Sequence, residues 1–87
     1  MYVIIVYDVE SRRTSKFHKF LKKRLTWIQN SVFEGEISDS EFVKVKDSLK
    51  KMCKRTDSTI IYTFISSKYT NRILLGDKKD KEPTNVI

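Results

Sequence analysis

Residues 26–37 read TWIQNSVFEGEI. Trp27, Ile28, Val32, Phe33 and Ile37 favour extended backbone, and Asn30-Ser31 between them is a turn former. The stretch predicts strand, turn, strand, with Gly35 marking a bulge or a close backbone approach. Its position decides the fold, because a helical period runs into it from one side and out of it on the other.

On the N-terminal side, Phe17, Phe20 and Leu21 fall at i, i+3 and i+4, and Leu25 extends the stripe. That is one apolar face of a helix over about Thr14 to Arg24. Lys19, Lys22 and Lys23 point the opposite way, with Lys16 and Arg12 on the flank. Arg24 falls on the apolar side, where the helix is expected to end. Before the helix, YVIIVYDV at 2–9 is a nearly continuous apolar run. It predicts a central strand covered on both faces, followed by the polar loop ESRRTSK.

On the C-terminal side, Ser38 and Glu41 have the spacing of a capping box, and a helix from about Asp39 to Lys54 follows. Phe42, Val45, Leu49, Met52 and Cys53 form its apolar stripe, with Lys44 and Lys51 on the far face. STIIYTFIS at 58–66 predicts another strand, and Ile73 to Leu75 a short extra one. The order β, α, β, β, α, β describes an α+β protein, a ferredoxin-like βαββαβ sandwich with a short extra C-terminal strand. The domain is expected over residues 1–78. Residues 79–87 form a charged C-terminal tail, a candidate for docking on a partner chain. With both helices on one sheet face, the other is expected to be bare and apolar, which favours a homodimer.

A chain of 87 residues suits one domain. Its 39% hydrophobic and 33% charged residues fit a globular protein and argue against a disordered one. No apolar run approaches the ~20 residues of a membrane span, and no signal-peptide pattern is visible. A lone cysteine, Cys53, excludes an internal disulfide and a paired-cysteine metal site. The expected location is cytoplasmic. Lysine and arginine total 18 against 11 acids, a net charge of +7 that favours phosphate backbones as partners.

Asp8 is the leading candidate for chemistry, since ligands gather at the carboxyl ends of strands. A carboxylate there can hold Mg²⁺, which takes oxygen ligands. The position equally suits a carboxylate that caps the following helix or bonds loop amides. One acid is few for a nuclease, and a twofold axis that pairs two copies of Asp8 would complete the site. Arg12, Arg13, Lys16, Lys19, Lys22 and Lys23 form the candidate nucleic-acid surface, sequence-independent and salt-sensitive. Tyr7 and Phe33 are candidates for base stacking, although strand aromatics usually pack. His18, the one histidine, is expected to be a bystander, and Cys53 a core residue.

VYDV ending the first strand, the basic first helix and then QNSVFEGE resemble the second Cas protein family, the small CRISPR-associated endoribonucleases of spacer acquisition. YD with Q-x-SVFEG about twenty residues later is the specific part of the pattern. The resemblance implies a ferredoxin-like homodimer with Asp8 as Mg²⁺ ligand and catalytic residue. Its tyrosine before that acid corresponds to Tyr7 and its SVF aromatic to Phe33, and it implies a C-terminal segment (Ile73–Leu75 or Val86–Ile87) on the partner's sheet. It implies metal-dependent cleavage of single-stranded RNA or double-stranded DNA. It also implies a bridging role between copies of the Cas integrase, with prespacer DNA held by its backbone. Some relatives carry arginines where this chain has Thr14, Lys16 and Trp27, so a diffuse lysine surface replaces a bidentate clamp.

Two functions are therefore expected: a Mg²⁺-dependent endonuclease, or a structural DNA-binding scaffold of the integrase complex with no required cleavage. A toxin-like RNase or RNA-binding module without CRISPR context is a third class.

Overall fold

The computed structural model describes residues 1–66 and 69–76. The element order is β1 (Tyr2–Asp8), α1 (Ser11–Lys22), β2 (Thr26–Gln29), β3 (Val32–Glu36), α2 (Asp39–Met52), β4 (Ser58–Ser66) and β5 (Tyr69–Leu75). The strands form one five-stranded sheet in the order β2-β3-β1-β4-β5. β1 is antiparallel to both β3 and β4. This is the ferredoxin-like α+β arrangement that the hairpin between two helices predicts, with β5 added antiparallel to β4. The tail 79–87, including Val86–Ile87, lies outside the described residues. No helix among the described residues is long and apolar enough to cross a membrane.

The hairpin forms as its residues dictate. Asn30 takes a left-handed φ of 43°, a conformation Asn tolerates better than most side chains. A bulge falls between Trp27 and Gln29. Gly35 supplies a close approach, since a Cβ there would stand 3.0 Å from Leu25 Cδ2. Leu25 can therefore pack flat over β3 and is itself buried. At the next helix start, half of the expected capping box is realised. The Glu41 N–H donates to Ser38 Oγ at 3.2 Å. The Glu41 carboxylate instead accepts from Arg24 Nε at 2.9 Å, joining the end of α1 to the start of α2. Arg24 also lies over the Phe20 ring at 4.7 Å, which accommodates a charge on the apolar side of the stripe.

The core lies between one sheet face and both helices. Val3, Ile5 and Tyr7 alternate along β1 and are buried with Phe33 and Ile61 against Phe17, Leu21, Val45 and Leu49. Each such side chain contributes about 1.5–3 kcal/mol on burial. The other face carries Tyr2, Ile4, Val6 and Asp8 of β1, paired with Phe64, Tyr62, Ile60 and Ser58 of β4. The sequence predicts a bare apolar surface there, and the structure covers it in part. Ile60 and Tyr62 are buried, Ile4 and Val6 are half-buried, and Tyr2 is exposed. Glu34 and Glu36 of β3 share that face through their pairing with Ile4 and Tyr2, so it is mixed rather than apolar.

Candidate metal and nucleic-acid site

Asp8 is the last residue of β1 and is exposed on the sheet face that the helices leave open. It stands in register with Ser58, the first residue of β4. The helix N-cap is Glu10, not Asp8, and it makes no side-chain capping bond.

One residue before Ser58 is a second acid with the opposite fate. Asp57 is fully buried. Its carboxylate accepts from Arg13 Nη1 at 2.5 Å and Arg13 Nη2 at 2.6 Å. The Lys54 N–H adds a third bond at 2.7 Å. Burial alone would raise the Asp57 carboxyl pKa. The Arg13 hydrogen bonds, the Lys54 N–H, the Arg13 charge and a Glu10 backbone bond together outweigh it and hold the group below its ordinary value. This cluster ties the first turn of α1 to the loop before β4, at the sheet end where Asp8 sits. Gly76, the residue after β5, closes it. Its φ is +96°, and a Cβ there would collide with the Asp57 carbonyl oxygen at 2.0 Å.

The other candidates divide sharply. Tyr7 and Phe33 are core residues, 3% and 0% exposed, with rings stacked 6.3 Å apart. Tyr7 also stacks on Phe17 at 5.3 Å. Neither ring is open to a base, so the stacking role expected of them is corrected: at period two, both face the helices. Burial pushes the Tyr7 phenol up, with Ser31 opposing, yet among the described residues its hydroxyl makes no hydrogen bond of good geometry. Arg13 is likewise removed from the surface by Asp57, its side chain only 14% exposed. Arg12, Lys16, Lys19, Lys22 and Lys23 are exposed as expected. Arg12 pairs with Glu10 at 3.3 Å; the four lysines enter no ion pair among the described residues.

The structure does not bring Asp8 and the lysines together. Phe17 and Leu21 face inward on α1, so the lysines lie outside the helix layer while Asp8 lies across the sheet from it. Among the described residues no group of three His, Cys, Asp or Glu side chains converges as a metal site. Asp8 offers hard oxygen donors, the right chemistry for Mg²⁺, but as half a donor set.

The sequence signal of Asp57 is the mirror of that of Asp8, although nothing local marks it as buried. One acid follows the apolar run IIVY, and the other precedes the run STIIY by no intervening residue.

Comparison with known proteins gives a match of residues 1–73 to the family model for CRISPR associated protein Cas2. The chain belongs to the Cas2 family. The Cas2 protein of Methanocaldococcus jannaschii, named a CRISPR-associated endoribonuclease, is 47% identical over 81 residues, covering 92% of this chain and 71% of its own. The Methanothermobacter thermautotrophicus endoribonuclease Cas2 is 42% identical, covering 100% of this chain and 94% of its own. A solved structure described as a crystal structure of Cas2 superposes with a TM-score of 0.72 at 41% identity, covering 100% of this chain and 97% of that one. The Cas2 resemblance carried by YD and Q-x-SVFEG is thereby confirmed over the hairpin and both helices.

Proposed function

We propose that the chain is a Mg²⁺-dependent endonuclease subunit of a CRISPR spacer-acquisition system, acting as a homodimer on single-stranded RNA or double-stranded DNA. The observation that carries the reading is Asp8: an exposed carboxylate at the end of β1, on the open sheet face, in a chain of this family. Relatives named as endoribonucleases support cleavage as the reaction.

One carboxylate per chain requires a second from a partner. Two copies related by a twofold axis through the open faces would bring two Asp8 side chains to one locus. A Mg²⁺ ion held there would polarise a phosphodiester and lower the pKa of its bound water. Within each chain, rigid β1 fixes the Asp8 backbone, since Val3, Ile5 and Tyr7 anchor the strand from the other side. The Arg13–Asp57 pair holds the adjoining loop and strand end. The lysines of α1 bind backbone phosphates away from the cleavage locus.

The test is cleavage by purified Asp8→Ala protein. It is expected to lose Mg²⁺-dependent cleavage while its dimerisation stays intact by light scattering. Cleavage equal to wild type would sink the assignment.

A scaffold reading is favoured by one separate observation, the separation of the lysine face from Asp8. In it the dimer bridges copies of the integrase in the cytoplasm and holds prespacer duplex by its backbone, with no cleavage required. Spacer acquisition that survives Asp8→Ala but not charge reversal of the lysines would select it.

A further inference from the structure

Trp27 is the chain's one tryptophan, and it stands at the sheet's edge. β2 ends the strand order, and all four of its residues are exposed. Trp27 keeps 54% of its surface. Yet the indole is not loose. Its Nε1–H donates to the Asn30 carbonyl oxygen at 2.9 Å. His18 of α1 meets it edge-to-face, ring centroids 5.3 Å apart. His18 rests in turn on fully buried Phe33 at 5.2 Å. The ring is thus anchored to the core through one intermediate and oriented before any ligand arrives, which lowers the entropy cost of binding.

Its surroundings say what lands on it. Lys22 lies one helical turn after His18 on the same face of α1, with Lys19 adjoining. Both are exposed and outside any ion pair among the described residues. A held aromatic platform flanked by cations suits an unpaired nucleobase with its phosphates: stacking supplies affinity, and the cations meet the backbone. The positive charge favours this polyanion over a protein strand added to the β2 edge. A duplex keeps its bases stacked internally and cannot use the indole.

We infer that Trp27 is a stacking platform for an unpaired base of a single-stranded nucleic acid, with His18 positioning the indole and Lys22 taking the neighbouring phosphate. The inference rests on the nucleic-acid reading above and deepens it, because it makes single strands a class the protein engages differently from duplex.

Trp27 alone supplies the indole fluorescence, so the native protein reports on its own site. A short single-stranded RNA, titrated in EDTA to prevent cleavage, is expected to quench that emission over the range in which it binds. Inorganic polyphosphate is expected to bind without quenching. Trp27→Ala and Trp27→Thr, the latter keeping a strand-forming side chain, are expected to weaken single-strand binding by about 5- to 150-fold. Duplex binding is expected to stay within about twofold of wild type, less than any stacking contribution. Binding without quenching, or equal losses for duplex and single strand, overturns the inference and leaves the nucleic-acid reading standing. So does a nucleic-acid-independent emission shift of the wild type that follows self-association, where light scattering shows that self-association lost in Trp27→Thr, which makes the edge a protein interface. Wild-type protein that binds neither strand form nor polyphosphate overturns both.

Discussion

Arg13 donates two hydrogen bonds to Asp57, Nη1 to Oδ2 at 2.5 Å and Nη2 to Oδ1 at 2.6 Å. The pair is planar fork against carboxylate, the strongest geometry available to these groups. Asp57 is wholly buried and the Arg13 side chain 14% exposed, so the Asp57 charge depends on Arg13, which keeps a second, longer contact with Glu10 at 3.4 Å. The guanidinium that stands beside Arg12 in sequence, and looks like a phosphate contact, is instead committed to the protein's own interior.

Breaking the pair at Asp57 leaves the largely buried Arg13 with Glu10, at 3.4 Å, as its counter-charge. Asp57→Asn is expected to cost about 3–5 kcal/mol, measured by urea denaturation at fixed protein concentration. Arg13→Lys is expected to cost less, because one ammonium keeps the charge but not the fork. A loss below about 1 kcal/mol for Asp57→Asn would place the pair with ordinary exposed ion pairs.

The same pair sets an acid limit. Asp57 has its folded pKa below the ordinary value of 3.8. A depressed carboxyl contributes stability that is fully present above its unfolded pKa and is lost as pH falls through the folded one. The stability gap between wild type and Asp57→Asn is therefore expected to hold from pH 7 down to about 5, then narrow below about 4. A gap that stays constant to pH 2 would deny the carboxylate its role.

Gly76 and Gly35 are expected to respond differently to alanine. At Gly76 the new Cβ meets the Asp57 carbonyl at 2.0 Å, from a φ of +96°. The left-handed backbone alone costs about 1–2 kcal/mol, before any clash. At Gly35 the contact is the far end of Leu25 at 3.0 Å, which can yield by turning. Thermal denaturation is expected to rank Gly76→Ala well below Gly35→Ala, and the reverse order would contradict the packing.

The lysine face makes a quantitative claim about salt. Changing Lys19, Lys22 and Lys23 to Glu is expected to reduce the slope of log K against log[salt] for duplex DNA by up to about 2.7. Lys44→Glu with Lys51→Glu, on the exposed side of α2, is expected to leave the slope near wild type. Equal effects from both sets would mean diffuse charge with no preferred face.

Local chemistry carries most of the fold. Period two in YVIIVYD, period 3.6 through Phe17 and Leu21 and again through Val45 and Leu49, and the Asn30 turn specify elements whose order permits few topologies. Those signals are written in neighbouring residues, so the sequence by itself determines the βαββαβ order, the basic outer face of α1 and, through YD and Q-x-SVFEG, the family. It does not determine which side of the sheet a given residue meets, because that depends on partners far along the chain. Tyr7 and Phe33 look like available aromatics until α1 closes over them. Trp27 looks like an ordinary strand residue until β2 proves to be the edge. Asp8 and Asp57 carry the same carboxyl at the same end of the sheet, and register decides between them. Alternation turns Asp8 to the open face and Asp57 beneath α1, where Arg13 is waiting. One acid is left exposed for chemistry, and the other becomes part of what holds the strand end in place.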